Sequence, residues 1–394
     1  MRATDLLIVG AGPFGLSMAA HARHLGIDHV IVGEPMHFWR AHMPDGMYLR
    51  SECDWHLDPE GVDTIEAFLH TRGMTPADAT PLSRELYLEY ARWFQARKQI
   101  EPLRRTVERL ETGGDRPFRA ALDDGGTIEA DNVLLALGFA HFTHVPGEIA
   151  SLLPAARVDH TCDFVDFAGV RGQRYLIVGG RQSAFEWAAL MAEAGAARVH
   201  VVHRHDSPAF TSSDWEWVDP LVDQFVDDPG WYKRLSQADK DVLGRRLWSE
   251  GRLKLEPWLA PRVQRDAITI WPNTRLTACV ESGSGLAVTL AGIGDAQVVE
   301  IDRLILATGY KVDVARVPLL ARGDLLPRLM IDNGLPVLDE HLQSSVPGLF
   351  MTSMMALRDF GPFLAFTVSA RASAKVVGQA LRRQALASAA PSCV

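Results

Sequence analysis

The sequence predicts an α/β chain of two nested Rossmann-like dinucleotide-binding domains plus a small helical insertion, and three observations predict it. Two apolar runs, Leu6-Leu7-Ile8-Val9 and Tyr175-Leu176-Ile177-Val178, each lead straight into a glycine-rich turn. Each turn is followed far downstream by a second apolar strand that closes on a glycine: Asn132 to Leu137 before Gly138, and Leu304-Ile305-Leu306-Ala307 before Thr308-Gly309-Tyr310. At 394 residues with 47% hydrophobic side chains, the chain is long enough for two to three domains with substantial cores.

The first turn reads Gly10-Ala11-Gly12-Pro13-Phe14-Gly15. Gly10 permits the tight turn, Gly12 lets backbone approach a pyrophosphate, and Gly15 lets the following helix pack on the sheet. The helix N-terminus then presents free N–H groups and a dipole to the phosphates. A second strand, His29-Val30-Ile31-Val32, ends near Glu34, 24 residues past Gly10. An acid about 20 residues after the first glycine accepts from ribose hydroxyls, and Glu34 is placed for that role.

The second turn, Gly179-Gly180-Arg181-Gln182-Ser183-Ala184, carries Arg181 at the middle glycine position and Ser183 and Ala184 where the last glycine would fall. A crossover helix follows, Phe185 to Ala192, and then the strand Arg198 to Val202, which ends in His203-Arg204-His205 without an acid. A cation there suits the 2′-phosphate of NADPH. Arg204 is the expected clamp and Arg181 a second cation.

Between these units the order is nested. An irregular stretch from Met36 to Asp58 precedes a helical region through Leu82 to Gln95, a small antiparallel sheet around Phe118–Leu122, and the strand at Asn132. Residues 1–158 form the first part of one domain, residues 159–311 a second domain with a helical insertion at about 207–261, and residues 312–394 return to the first. Pro347–Met351 reads as a further strand, Leu364 to Leu381 as a helix that packs in the first domain or at a homo-oligomer interface, and Ala385 to Val394 as a fraying tail.

Composition narrows the partners. A net charge of −9 argues against general nucleic-acid affinity. There is no run of eighteen apolar residues and no signal-like leader, which leads to the expectation of a cytoplasmic chain without membrane spans. Cys53, Cys162, Cys279 and Cys393 form no C-x-x-C or zinc spacing, so the expected state is four reduced thiols and no redox dithiol. The fourteen histidines show no H-x-x-x-H or H-E-x-x-H pattern, and no metal site is expected. His56 and His160 are proton-relay or structural histidines.

These motifs together resemble the two-dinucleotide-domain flavoproteins over nearly the whole chain. Within them the sequence is most similar to class B flavoprotein monooxygenases, the flavin-containing monooxygenases and ornithine or lysine N-hydroxylases. Gln182-Ser183-Ala184 resembles the N-hydroxylase turn, Ala307-Thr308-Gly309-Tyr310 the motif after their NADPH domain, and Trp39 to Met47 the stretch along their flavin. The resemblance implies FAD at the first turn and NADPH at the second. It places Trp39, Arg40, Met47, Arg50 and Ser51 along the flavin, with Gly361, Pro362 and Phe363 covering its pyrimidine end and opening a helix toward it. Thr308, Gly309 and Tyr310 close the NADPH side. Departures include Pro154 and Ala156 in place of the phenylalanine and glycine of the F-x-G-x-x-x-H fingerprint, of which His160 survives, and Thr352-Ser353 in place of a glycine-aspartate pair.

The implied reaction uses NADPH and O₂ to oxygenate a nitrogen or sulfur atom of a small metabolite through a flavin C4a-hydroperoxide. The cofactor carries the hard step, so no catalytic side chain is singled out. The alternative is an NADPH-dependent flavin reductase feeding a quinone, ferredoxin or other non-dithiol acceptor; a non-catalytic nucleotide-binding regulator is a third reading. Five of the ten tryptophans, Trp215, Trp217, Trp231, Trp248 and Trp258, fall in or beside the insertion with Asp219, Asp223, Asp227 and Asp228. They are either the core of a small helical subdomain or a lid that holds a cationic amine.

Overall fold

The computed structural model describes residues 2–389 apart from Ala155 and Ile293; Met1 and the tail from Ala390, with Cys393, lie outside the described residues. The first apolar run is the buried strand β1 (Arg2–Val9), followed by α1 (Pro13–His24) and β2 (His29–Val32). Leu6, Leu7 and Ile8 have no solvent exposure, as a strand covered on both faces requires. After α2 (Arg84–Lys98) come β3 (Val107–Thr112), β4 (Phe118–Leu122) and β5 (Thr127–Leu135). The antiparallel sheet and the closing strand expected separately are joined here. One nine-residue strand, β5, pairs with β4 through its first half and runs parallel to β1 along its length.

The second unit starts with β6 (Val158–His160), so Val158 belongs to this sheet and not to the first domain. It continues with β7 (Arg174–Val178), α3 (Gln182–Glu193) and β8 (Arg198–Val202). Beyond the insertion, which contains α4 (Asp219–Asp227) and α5 (Gln237–Arg252), come β9 (Ile268–Trp271), the antiparallel trio β10 (Arg275–Ser282), β11 (Gly285–Ala291) and β12 (Gln297–Ile301), and β13 (Arg303–Leu306). The order β9-β8-β7-β13-β6 is parallel throughout.

The chain then returns to the first sheet. β14 (Leu349–Met351) pairs in parallel with the second half of β5. The last helix, α6 (Ser369–Ala389), packs along α1, and its Gly378 is set so closely that a Cβ would come within 2.6 Å of the His21 ring. It starts later than the expected Leu364, because Pro362–Ala365 forms a short 3₁₀ turn.

The insertion corrects the expectation of a tryptophan-cored subdomain. Trp215, Val218, Val222, Phe225, Trp231 and Tyr232 join the core of the first domain. Phe225 meets Phe360 edge-on at 5.2 Å, Trp231 stacks on Phe363, and Trp215 packs against Phe366 and Trp55. The inserted segment is thus a clasp that reaches back over the segment 360–366. α5, by contrast, buries none of its residues.

Candidate functional site: two glycine turns and the segment between them

At the first turn the glycines do different work. Gly10 sits at φ +110°, and a Cβ there would lie 2.3 Å from the Ala136 carbonyl oxygen of the neighbouring strand end. At Gly15 a Cβ would come within 1.8 Å of the Gly10 carbonyl oxygen, so helix and turn meet with no room for a side chain. Gly12 is different. Nothing lies within 4 Å of its Cβ direction, and no side chain caps α1, whose first residue is Pro13. The uncapped N–H groups and open space are what an incoming pyrophosphate needs. Gly33 is in close contact with the turn, where a Cβ would be 3.0 Å from the Ala11 nitrogen, and so brings Glu34 to its rim. Glu34 is half-buried and held by Arg40 at 3.2 Å and Arg104 at 3.6 Å. Phe14 is buried against Ala136 and Ala370.

The second turn is built alike. Gly179 takes φ +154°, with a Cβ blocked by the Ala307 carbonyl oxygen at 2.5 Å, and its N–H donates to the Val202 carbonyl at 3.0 Å. Gly180 lies against His203 and His205. No side chain caps α3, and Ser183 in its first turn is exposed. Arg181 leans outward: its guanidinium lies 5.0 Å over the Trp248 ring and donates to the Arg252 carbonyl at the end of α5. Arg204 is exposed just past β8 and pairs with Glu148 at 2.6 Å. Gln182 is buried, its carboxamide oxygen accepting the Glu256 N–H at 3.2 Å.

The segment from Trp39 to Ser51 contacts both dinucleotide-binding units and the insertion. Trp39 packs on Tyr87 at 4.7 Å, and Arg40 turns back to Glu34. Met47 packs against the core of the second unit. The Tyr48 N–H donates to Glu186 on α3 at 2.9 Å. Arg50 points into the insertion: Nε donates to Glu256 at 2.8 Å, Nη1 to the Gly251 carbonyl at 2.9 Å, and Nη2 to the Glu250 carbonyl at 3.1 Å. With these bonds made, its guanidinium ties the segment to the insertion. Ser51 meets Thr367 at 3.2 Å.

Gly361, at φ +89°, is covered by the Tyr232 ring, 2.8 Å from where its Cβ would be, and Phe363 is buried under Trp231. The helix expected to open at Pro362 is therefore only the 3₁₀ turn, sealed by the clasp. Thr308 donates to the His144 carbonyl, and Gly309 adopts φ +78°. Tyr310 packs edge-on to Phe139 at 5.3 Å and to His160 at 5.4 Å.

Both singled-out histidines are held neutral. His160 accepts the Cys162 N–H on Nδ1 at 3.1 Å and therefore donates from Nε2 to the Gly309 carbonyl at 3.1 Å. Its pKa is lowered by burial. His56 accepts the Asp58 N–H at 3.2 Å, and burial with the Arg371 charge brings its pKa down to about 4. His160 thus has both ring nitrogens engaged, whereas His56 has only Nδ1 engaged. The fold also gathers His42, Cys162 and Asp163, whose donor atoms lie within 4.8 Å of one another, a grouping that no motif spacing announces. There the His42 Nδ1 sits 2.7 Å from the Cys162 carbonyl oxygen, and burial pushes the Cys162 thiol up to about 11.

One residue escaped the sequence reading, and one that it named only as part of a cluster stands out. Glu186 is a completely buried carboxyl in an apolar stretch of α3, and burial raises its pKa to about 8. Asp219, where the clasp begins, lies beside Asp54 and 3.6 Å from Arg371; burial, then the Asp54 charge, raises it to about 6. Among the described residues no helix is long and apolar enough to cross a membrane.

Comparison with known proteins follows the same lines. The profile of the pyridine nucleotide-disulphide oxidoreductase family matches residues 7–230. A FAD-dependent urate hydroxylase of Xanthomonas campestris pv. campestris is 29% identical over 218 residues, 51% of this chain and 45% of that protein. A ferredoxin–NADP reductase of Ralstonia pickettii is 29% identical over 205 residues, 52% of this chain and 51% of that protein. The matched region thus spans about half the length of these curated relatives. Among solved structures, the ornithine N-hydroxylase of Kutzneria sp. 744, with reduced FAD, NADP⁺ and L-ornithine, superposes with a TM-score of 0.80 at 16% identity, covering 98% of this chain and 100% of that one. That likeness establishes a shared fold from end to end.

Proposed function

This chain belongs to the pyridine nucleotide-disulphide oxidoreductase family, and from that premise we propose that it is an NADPH-dependent FAD monooxygenase that oxygenates a nitrogen or sulfur atom of a small metabolite. The observation that carries the reading is the pair of glycine turns, each opening onto an uncapped helix, in one chain. A protein that takes two dinucleotides moves electrons between them.

The residues of the first turn fit FAD. Gly12 leaves the space a pyrophosphate would fill, the N–H groups of α1 face it, and Glu34 stands at the rim where a ribose would lie. Bound there, FAD would supply the two-electron and oxygen chemistry that side chains lack. The second turn fits a pyridine nucleotide, with Arg204 and Arg181 as cations for a 2′-phosphate. Tyr48, Arg50 and Ser51 tie the intervening segment to three parts of the molecule, which orients it.

Oxygen transfer to an amine is supported by the shared fold with the ornithine N-hydroxylase and by a group of carboxylates where the clasp meets this segment. Burial and then the Asp54 and Glu216 charges raise the Glu52 carboxyl, and burial and then the Asp54 charge raise that of Asp219. A cationic amine would relieve that repulsion. The second reading, a reductase that passes electrons to ferredoxin or another acceptor, is supported by the ferredoxin–NADP reductase relative. Anaerobic reduction tests the shared part of both: NADPH bleaches the bound flavin, and NADH does so far more slowly. Failure of NADPH to bleach it rejects both.

A further inference from the structure

Glu186 has no counterpart in the cofactor-binding roles described above. Its side chain is completely buried, yet it lies on the helix that opens at the second glycine turn and reaches across to the other domain. One carboxyl oxygen accepts the Tyr48 N–H at 2.9 Å; the other has no hydrogen-bond partner. Gln182, one turn earlier on the same helix, lies beside it, with a buried carboxamide nitrogen that also lacks a formed hydrogen bond. The cations that face it from other elements are Arg262, on the turn at 260–263, and Arg50, on the Met47–Ser51 segment. Arg50 is bound to Glu256 and the insertion, whereas Arg262 forks onto Glu193 at 2.9 Å through Nε and Nη2 and keeps a buried Nη1 with no hydrogen-bond partner. Around the contact, Tyr48 packs on Trp258 at 5.1 Å, with the Arg262 guanidinium 5.7 Å over its ring.

We propose that Glu186 is a positioning residue that pins the Met47–Arg50 segment of the first domain against the helix of the second glycine turn. This rests on the reading that the segment lies along the flavin. Burial favours the neutral carboxyl, with the proton leaving at about pH 8. Once ionised, the carboxylate is the stronger acceptor, favoured by the Tyr48 N–H and by the Arg262 charge with its unpartnered Nη1, so the Tyr48 contact tightens. A buried acid thereby sets how firmly the flavin-side segment and the nicotinamide-side helix are held together, without touching either cofactor.

Hydrogen exchange of the Tyr48 amide in the purified holoprotein, measured from pH 6 to 9 and corrected for intrinsic rate, tests this. In the parent protein its protection should rise severalfold above pH 8. In Glu186→Gln, whose amide oxygen still accepts the Tyr48 N–H but never ionises, protection should stay level. The rate of flavin reduction by NADPH should show the same contrast. Equal pH profiles in parent and variant, or a parent profile flat across pH 8, would overturn the proposal. Exchange needs no turnover, so a protein that NADPH fails to reduce would refute the proposed function while its exchange profile still tests Glu186 separately.

Discussion

Trp231 lies face to face with Phe363, ring centroids 6.0 Å apart and planes 11° from parallel. This contact joins the inserted segment of one dinucleotide-binding unit to the return segment of the other, and makes the insertion a structural clasp.

Replacing Trp231 by Ala removes a side chain with only 7% exposure. The expected cost is about 3 kcal/mol in chemical denaturation. In a double-mutant cycle with Phe363→Ala, the coupling should be about 1 kcal/mol. Additive effects would mean that the clasp does not rest on this stack.

The two glycines of the first turn should separate binding from folding. Gly12→Ile, with open space ahead of it, should give a folded chain that purifies without flavin colour. Gly15→Val, whose Cβ would sit 1.8 Å from a backbone oxygen, should not fold stably. Absorbance and circular dichroism read both; a yellow Gly12→Ile protein would move the flavin elsewhere.

Arg204→Ala removes the exposed cation past β8. A charge-assisted contact is worth about 1.5–3 kcal/mol, so KM for NADPH should rise roughly ten- to a hundredfold while that for NADH hardly moves. Glu148→Gln, which frees Arg204 from its 2.6 Å ion pair, should lower KM for NADPH. Equal weakening of both nucleotides would place the 2′-phosphate at another group.

Asp219 gives a pH signature. Its carboxyl is raised to about 6 by burial and by Asp54, so the folded state holds its proton more tightly than the unfolded state does. The stability this supplies is complete below the unfolded value near 4 and is lost as pH rises through about 6. Asp219→Asn should therefore be more stable than the parent at pH 7 to 8, by on the order of 1 kcal/mol after solvent screening, and lose that advantage below pH 4. A constant difference across that range would show that Asp219 does not titrate as described.

The elements that recur with simple spacing were legible in the sequence. Strand, glycine turn and helix at Gly10 and Gly179 are local, because an apolar run and the absence of a Cβ suffice to specify them. The rest depends on contacts far apart in the chain. Arg50 reads as a flavin-side residue, and its tie to Glu256, some two hundred positions later, is invisible to local spacing. Trp231 looks like the core of its own subdomain until Phe363 arrives beneath it. Gly361 and Pro362 suggest a helix start, but Tyr232 seals the turn. Glu186 left one faint trace, an acid between Phe185 and Trp187 in an apolar helix, whose partner at Tyr48 periodicity cannot supply. Glu34, Arg181 and Arg204 are the side chains that local position alone proposes for the cofactors; the others rest on the resemblance.

A monooxygenase delivers the electrons of NADPH into an oxygenated product, and turnover under ¹⁸O₂ reads that directly. With a panel of primary amines and thioethers, NADPH, peroxide and labelled product are followed together. For at least one substrate, each NADPH consumed should yield one product carrying one labelled oxygen, with little peroxide. Peroxide equal to NADPH for every candidate, together with rapid reduction of an added ferredoxin or quinone, would rule out oxygen transfer and establish the reductase instead.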